Sequence, residues 1–133
     1  MIVLSIAFCG ALIWLSAVVQ HVANLSAQGT KWVTGDRATA PNESGFAGRA
    51  ARMLRNNIES AAMYVPVALG VVLLHLSSPI IAWAVVVYMA VRTSFTLAYW
   101  LRINQLRSLS WLIGMICILA LAISIAPEIA RAI

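Results

Sequence analysis

The first charged side chain in this chain of 133 residues is Lys31. The thirty residues before it contain no Asp, Glu, Lys or Arg, and about 20 apolar residues are enough to cross a hydrocarbon core. The rest of the chain continues the theme. Hydrophobic residues make up 62% of it and charged residues only 10%, against roughly 25% charged in an average soluble domain. So few charges cannot cover the surface of a water-soluble globule. A disordered chain is excluded as well, because too much apolar surface would stay in water. The N-terminal run lacks the positive segment that precedes a signal peptide's core, so it reads as a retained span. Cys9 and Cys117 sit inside uncharged stretches with no CxxC and no Cys/His cluster. They read as small apolar packing residues, with no metal site implied.

The remaining charges divide the sequence. Residues 26–47 turn polar and carry Gly29, Gly35, Pro41 and Gly45, which marks a long loop over about 26–43. A second helix is expected from Asn42–Ser44, capped by Asn42 or Ser44 with Glu43 in its first turn. Carried through to Leu76 it would be roughly 50 Å long, so its first turns must leave the membrane or line a polar cavity. Ser60 to Val91 is again uncharged and too long for one helix. The break falls at His75–Pro79, since Pro79 suits a first helical turn. A third span then runs to Arg102. A fourth starts at Ser108, with Ser108 as its cap, and ends at Ala126 before Pro127. The expectation is one all-α integral-membrane domain, a four-transmembrane-helix bundle with spans at about 2–24, 44–76, 79–102 and 108–126. Its apolar runs are continuous rather than alternating, which excludes a β-barrel. Lys31, Arg37, Arg49, Arg52, Arg55, Arg102 and Arg107, seven of the nine basic residues, fall on one side of that bundle. This side is expected to be cytoplasmic, with both termini opposite. A net charge of +5, set beside apolar runs, points to lipid headgroups or an anionic ligand and not to nucleic acid.

The second helix carries the strongest chemical signal. Arg49, Arg52, Arg55, Asn56 and Glu59 fall on one face about 120° wide. Arginines near a helix end can snorkel to headgroups, but Asn56 and Glu59 lie deeper, and a carboxylate inside a span wants a cation. Arg92 on the third helix is a candidate, because Glu59 and Arg92 each lie about 15 Å in from Arg49 and Arg102 respectively. Arg92, Thr96, Tyr99 and Arg102 share a face of that helix. Together with Arg107 they gather guanidinium groups at one membrane face, which suits a small, multiply anionic ligand.

The run R-A-A-R-M-L-R-N-N-I-E at Arg49–Glu59 resembles the signature of the MAPEG family, the membrane-associated proteins in eicosanoid and glutathione metabolism. Arg92 to Tyr99 and Q-L-R-S at Gln105–Ser108 are similar to its later motifs. The resemblance implies a homotrimer of four-helix subunits that binds glutathione between neighbours near the cytoplasmic face. It implies that Arg52, Asn56, Glu59 and Tyr99 hold the tripeptide, and that Arg49, Arg55 and Arg102 add positive field. Arg92 is counted with these glutathione-binding residues. The resemblance puts Arg107 beside the thiol, with Ser108 next to it as in the prostaglandin synthase branch. Three positions depart from the pattern. Phe95 stands where many members have Tyr or His. Gln20, His21 and Asn24 stand where many have basic residues. Pro66 comes two turns after Glu59 instead of one.

The implied chemistry is thiol activation. A free thiol with pKa near 8.5 is mostly protonated at neutral pH, and a fixed cation favours the thiolate. The expected function is a glutathione transferase acting on lipophilic electrophiles from the bilayer, with lipid hydroperoxide reduction as a companion activity. A glutathione-dependent isomerase and a non-catalytic lipid-binding scaffold are the alternatives. A small four-span transporter is disfavoured because the first span lacks an acidic residue.

Overall fold

The computed structural model describes residues 1–36, 39 and 44–132. Arg37, Asn42 and Glu43 therefore lie outside the described residues. The helices are α1 (Ile2–Gln28), α2 (Thr30–Thr34), α3 (Gly45–Leu73), α4 (Pro79–Leu101) and α5 (Asn104–Ala132). All but α2 are long and apolar enough to cross a membrane.

Backbone chemistry sets the helix ends. α1 continues past Gln20, His21 and Asn24, because polar side chains at a membrane edge do not stop a helix. It stops at Gly29, whose φ of 80° is open to glycine and disfavoured for other residues. α3 begins after Ser44, which is extended but makes no side-chain cap bond to the helix. It ends at Leu73, three residues short of Leu76, in a turn where His75 has φ 52°. Within that turn Leu76 N–H bonds the Val71 carbonyl at 3.0 Å. Ser78 caps α4, its Oγ accepting from Ile81 N–H at 3.2 Å, with Pro79 in the first turn.

The α4–α5 link is only Arg102 and Ile103, so these two helices must run antiparallel. α5 starts at Asn104, earlier than the expected Ser108, because Ile103 already accepts the first helical bond, from Arg107 N–H at 3.1 Å. Ser108 is therefore a second-turn residue and not a cap. At the other end α5 passes through Pro127 to Ala132. Proline removes one helical donor there, and Arg131 donates to Glu128 at 2.8 Å one turn on, which supports the last turn.

α1 packs mainly on α3, and α4 on α5, while α3 also meets α4 and α5. The buried face of α1 is small, with Ser5, Cys9, Ser16 and Ala23, and lets α3 approach closely. At the centre Tyr64 and Tyr88 stack with ring centroids 3.8 Å apart and planes within 3°. Neither phenol is orphaned: Tyr64 shares a hydrogen bond with Ser5 at 2.6 Å, and Tyr88 with Ser60 at 2.9 Å. The outside is apolar instead. Trp14 and Trp83 are more than two-thirds exposed, amid many exposed Leu, Ile and Val. Polar groups inside and bulky apolar groups outside suit a bundle whose solvent is lipid.

Candidate functional site

One end of the bundle gathers the cations. The start of α3, the end of α4 and the start of α5 meet there around a recess of about 300 Å³. Arg49, Arg52, Tyr99, Arg102 and Arg107 line it, with Ser44, Gly45 and Asn104. None of these residues is acidic. Two helix N-termini, those of α3 and α5, open onto it, and free N–H groups there add positive potential. The guanidinium of Arg107 lies 5.0 Å from the centre of the Tyr99 ring, which braces it by a cation–π contact. Arg49 lies over Phe46 at 5.5 Å, and its buried Nε has no partner among the described residues.

Arg102 holds its place at some expense. It caps α4 in the left-handed region at φ 65°, where glycine is the usual residue and another residue costs about 1–2 kcal/mol. The turn is closed by Ile103 N–H to the Ala98 carbonyl at 2.9 Å. An arginine thus stands in a backbone position that glycine usually takes, on the lining of the basic recess.

A narrower cleft lies further along α3. Asn56, Glu59 and Ser60 line it with Arg92, Trp111 and Gly114. The predicted stripe thus runs from the recess to the cleft on one helix. Arg55 and Glu59 are exposed on the bundle's flank and Asn56 is half-buried. The candidate Glu59–Arg92 ion pair is not formed. Arg92, only 3% exposed, donates from Nη1 and Nη2 to Asn56 Oδ1 at 3.2 Å, and from Nη2 to Asn57 Oδ1. Its guanidinium also lies 4.6 Å from the Phe95 ring centre. The reason is azimuth. Equal depth brought Glu59 and Arg92 level, but α4 meets α3 between Asn56 and Asn57, about 110° round the helix from Glu59.

Asn57 is the residue the sequence reading missed. It is 3% exposed, and its Nδ2 donates to Ser16 Oγ on α1 at 2.8 Å and to Thr96 Oγ1 on α4 at 3.4 Å. The signal was available, since a second amide beside Asn56 in a span must have partners. Ser108 is exposed, and its Oγ donates to the Asn104 carbonyl at 3.2 Å. It does not line the recess that Arg107 enters. His21 is exposed and is not part of the recess lining either.

Chemically, the recess is suited to an anion of a few heavy groups, and the cleft offers one carboxylate, Glu59, to a cation. Seven residues of α3 separate Arg52 from Glu59, about 10 Å, close to the reach of an extended tripeptide at about 3.3–3.6 Å per residue. Comparison with curated proteins and with solved structures gives no match. The family model of the MAPEG family matches residues 1–126. With that match over nearly its whole length and four membrane-spanning helices, the chain belongs to the MAPEG family and is a multi-pass membrane protein of glutathione and eicosanoid metabolism.

Proposed function

We propose that this protein is a glutathione transferase that ionises the glutathione thiol for attack on lipophilic electrophiles. The observation that carries the reading is the recess lined, among the described residues, by four arginines and no acid, with Glu59 about 10 Å further along the same helix. Glutathione has two carboxylates, one amine and one thiol. Its carboxylates match Arg49, Arg52 and Arg102, with Arg55 adding field from the flank. Asn56 and Tyr99 offer hydrogen bonds along its length, and Glu59 accepts from the amine. Arg107, held against Tyr99, is the cation for the sulfur. The thiol proton leaves to solvent, the thiolate forms a C–S bond with the electrophile, and the leaving group departs with the electron pair. The protein contributes proximity and a fixed positive field.

Glu59 and Arg55 are exposed on the single chain, and Glu59 lies within the apolar part of a helix long enough to span a membrane. A carboxylate left in lipid is costly, which favours a neighbouring subunit over this flank, as in the homotrimer that the family resemblance implies. The grouping of cations at one end supports a cytoplasmic recess with both termini opposite. The hydroxyl of Ser108 is engaged along its own helix, so the transferase reading puts thiolate stabilisation on Arg107 and leaves Ser108 as its neighbour. The test is to titrate purified protein with glutathione and follow ultraviolet thiolate absorbance, then add a model electrophile. Thiolate formation at neutral pH and conjugate release are expected. Absence of both overturns the proposal in favour of a lipid-binding scaffold.

A further inference from the structure

A polar array runs from the cleft into the interior of the bundle, joining Asn56 and Arg92 to Asn57, Ser16 and Thr96. A guanidinium can only donate, so both Asn56 and Asn57 must turn Oδ1 toward Arg92. For Asn57 this leaves Nδ2 facing Ser16 and Thr96. The hydroxyl protons of those two residues are already committed: Ser16 Oγ donates to the Leu12 carbonyl at 2.8 Å, and Thr96 Oγ1 to the Arg92 carbonyl at 2.9 Å. Both hydroxyl oxygens are therefore acceptors, and the direction of every bond in the array is determined. The remaining free end is the Nδ2 of Asn56, which has no hydrogen-bond partner among the described residues and borders the cleft beside Glu59.

We propose that Asn57 and Arg92, anchored by Ser16 and Thr96, are positioning residues that lock the Asn56 amide with its two N–H donors facing the ligand. The proposal rests on the glutathione reading and deepens it. Asn56 then donates only to a carbonyl or carboxylate of the bound molecule, while Glu59 next to it takes the amine. Without the lock, the Asn56 amide can rotate and present either end, and selection for an acceptor is lost. Asn57 is buried on the side of α3 that faces α1 and α4, so it acts through Asn56 and not by contact. Phe95, stacked under Arg92 and 5.7 Å from the Tyr99 ring, completes the support. This accounts for an apolar ring at that position.

The test is a double-mutant cycle read by glutathione calorimetry and by steady-state kinetics with a model electrophile. Asn57→Leu should weaken glutathione binding about tenfold, the worth of one hydrogen bond to a charged group. It should leave kcat at saturating glutathione within about twofold. In an Asn56→Ala background, Asn57→Leu should weaken binding no further. Additive losses overturn the proposal, as does a fall in kcat with unchanged affinity. If Asn57→Leu does not fold, Thr96→Val, which keeps the volume, enters the same cycle. A ligand-free measurement stands apart from the glutathione reading. By NMR of asparagine-labelled protein in micelles, the Asn57 side-chain NH2 should exchange slowly and that of Asn56 quickly. Should wild-type protein bind no glutathione, the proposed function falls and the exchange rates alone decide the lock. Equal rates for the two amides overturn it.

Discussion

Replacing Arg107 by Leu removes the one guanidinium that the proposed reading puts beside the sulfur. Its effect can be sized from its setting. Arg107 is half-buried, lines a recess open to water and is braced on Tyr99. A thiolate about 4.5 Å from a guanidinium at an effective dielectric of about 20 gains about 3.7 kcal/mol. Solvent screening at a half-buried site leaves about half of that, and at 1.36 kcal/mol per unit the thiol pKa falls by about 1.4. The sign follows from the charge. A cation favours the anion, so bound glutathione ionises at lower pH than free glutathione. With a free thiol near 8.5, the bound thiol would titrate near 7, and about 40–50% would be thiolate at neutral pH. Arg107→Leu returns the midpoint to about 8.5 and the ionised fraction to about 3%. The neutral-pH rate should fall by about tenfold, and raising the pH should recover it. Arg107→Lys keeps the charge without the planar fork and should lie between. The assay is a pH titration of thiolate absorbance with glutathione saturating each variant. An unshifted midpoint in Arg107→Leu, with glutathione demonstrably bound, refutes the assignment.

Other substitutions separate fold from site. Tyr64→Phe removes the 2.6 Å bond to Ser5 and should lower unfolding free energy in micelles by about 1 kcal/mol; Tyr64→Ala also empties the stack on Tyr88 and should cost about 3–5 kcal/mol. Gly70→Ala brings a new Cβ to 2.9 Å from Ile125 Cδ1, the end of a flexible side chain, so thermal unfolding should register less than about 1 kcal/mol; Gly70→Leu overpacks the same gap and should cost about 1–3 kcal/mol. Arg102→Gly should move two assays in opposite directions, raising stability by about 1 kcal/mol through relief of the left-handed backbone while weakening glutathione binding.

The depth of each group along its helix was legible in the sequence, because helical rise is nearly constant. The four spans, the cation-rich end and the Arg49–Glu59 stripe follow from charge positions and that rise alone. Azimuth between helices was not legible. Nothing in the spacing of Arg92 says whether α4 meets α3 at Glu59 or at Asn57, and the structure has it at Asn56 and Asn57. Small polar residues in apolar runs were passed over for a related reason. Ser5, Ser16 and Ser60 look like neutral filler along one helix, and their roles exist only where Tyr64, Asn57 and Tyr88 arrive from another. Helix ends shifted where backbone geometry outweighed composition, as at Gly29 and at the two-residue link before Asn104.

The partners of Arg92 bear on how the site keeps its charge. A buried guanidinium usually demands a carboxylate, yet Asn56 and Asn57 satisfy its donors as neutral amides, with Phe95 beneath it. A carboxylate would cancel its field, whereas amides leave that field acting on the ligand. Asn57→Asp tests this directly. The carboxylate keeps the acceptor for Arg92 and makes the pair charge-assisted; its second oxygen replaces the Nδ2 donor, so Ser16 and Thr96 must turn their hydroxyl protons from the Leu12 and Arg92 carbonyls toward it, and with that rotation the fold should persist. The ligand, however, loses the attraction of one net charge. At about 10 Å and an effective dielectric of about 20 that attraction is about 1.7 kcal/mol before screening. With a third to a half surviving screening, glutathione affinity should fall about 2.5- to fourfold at low salt, with the difference narrowing as salt is added. If the Asn57→Asp protein binds glutathione as tightly as wild type at low salt, the Arg92 charge is purely internal to the bundle and contributes nothing to the field at the site.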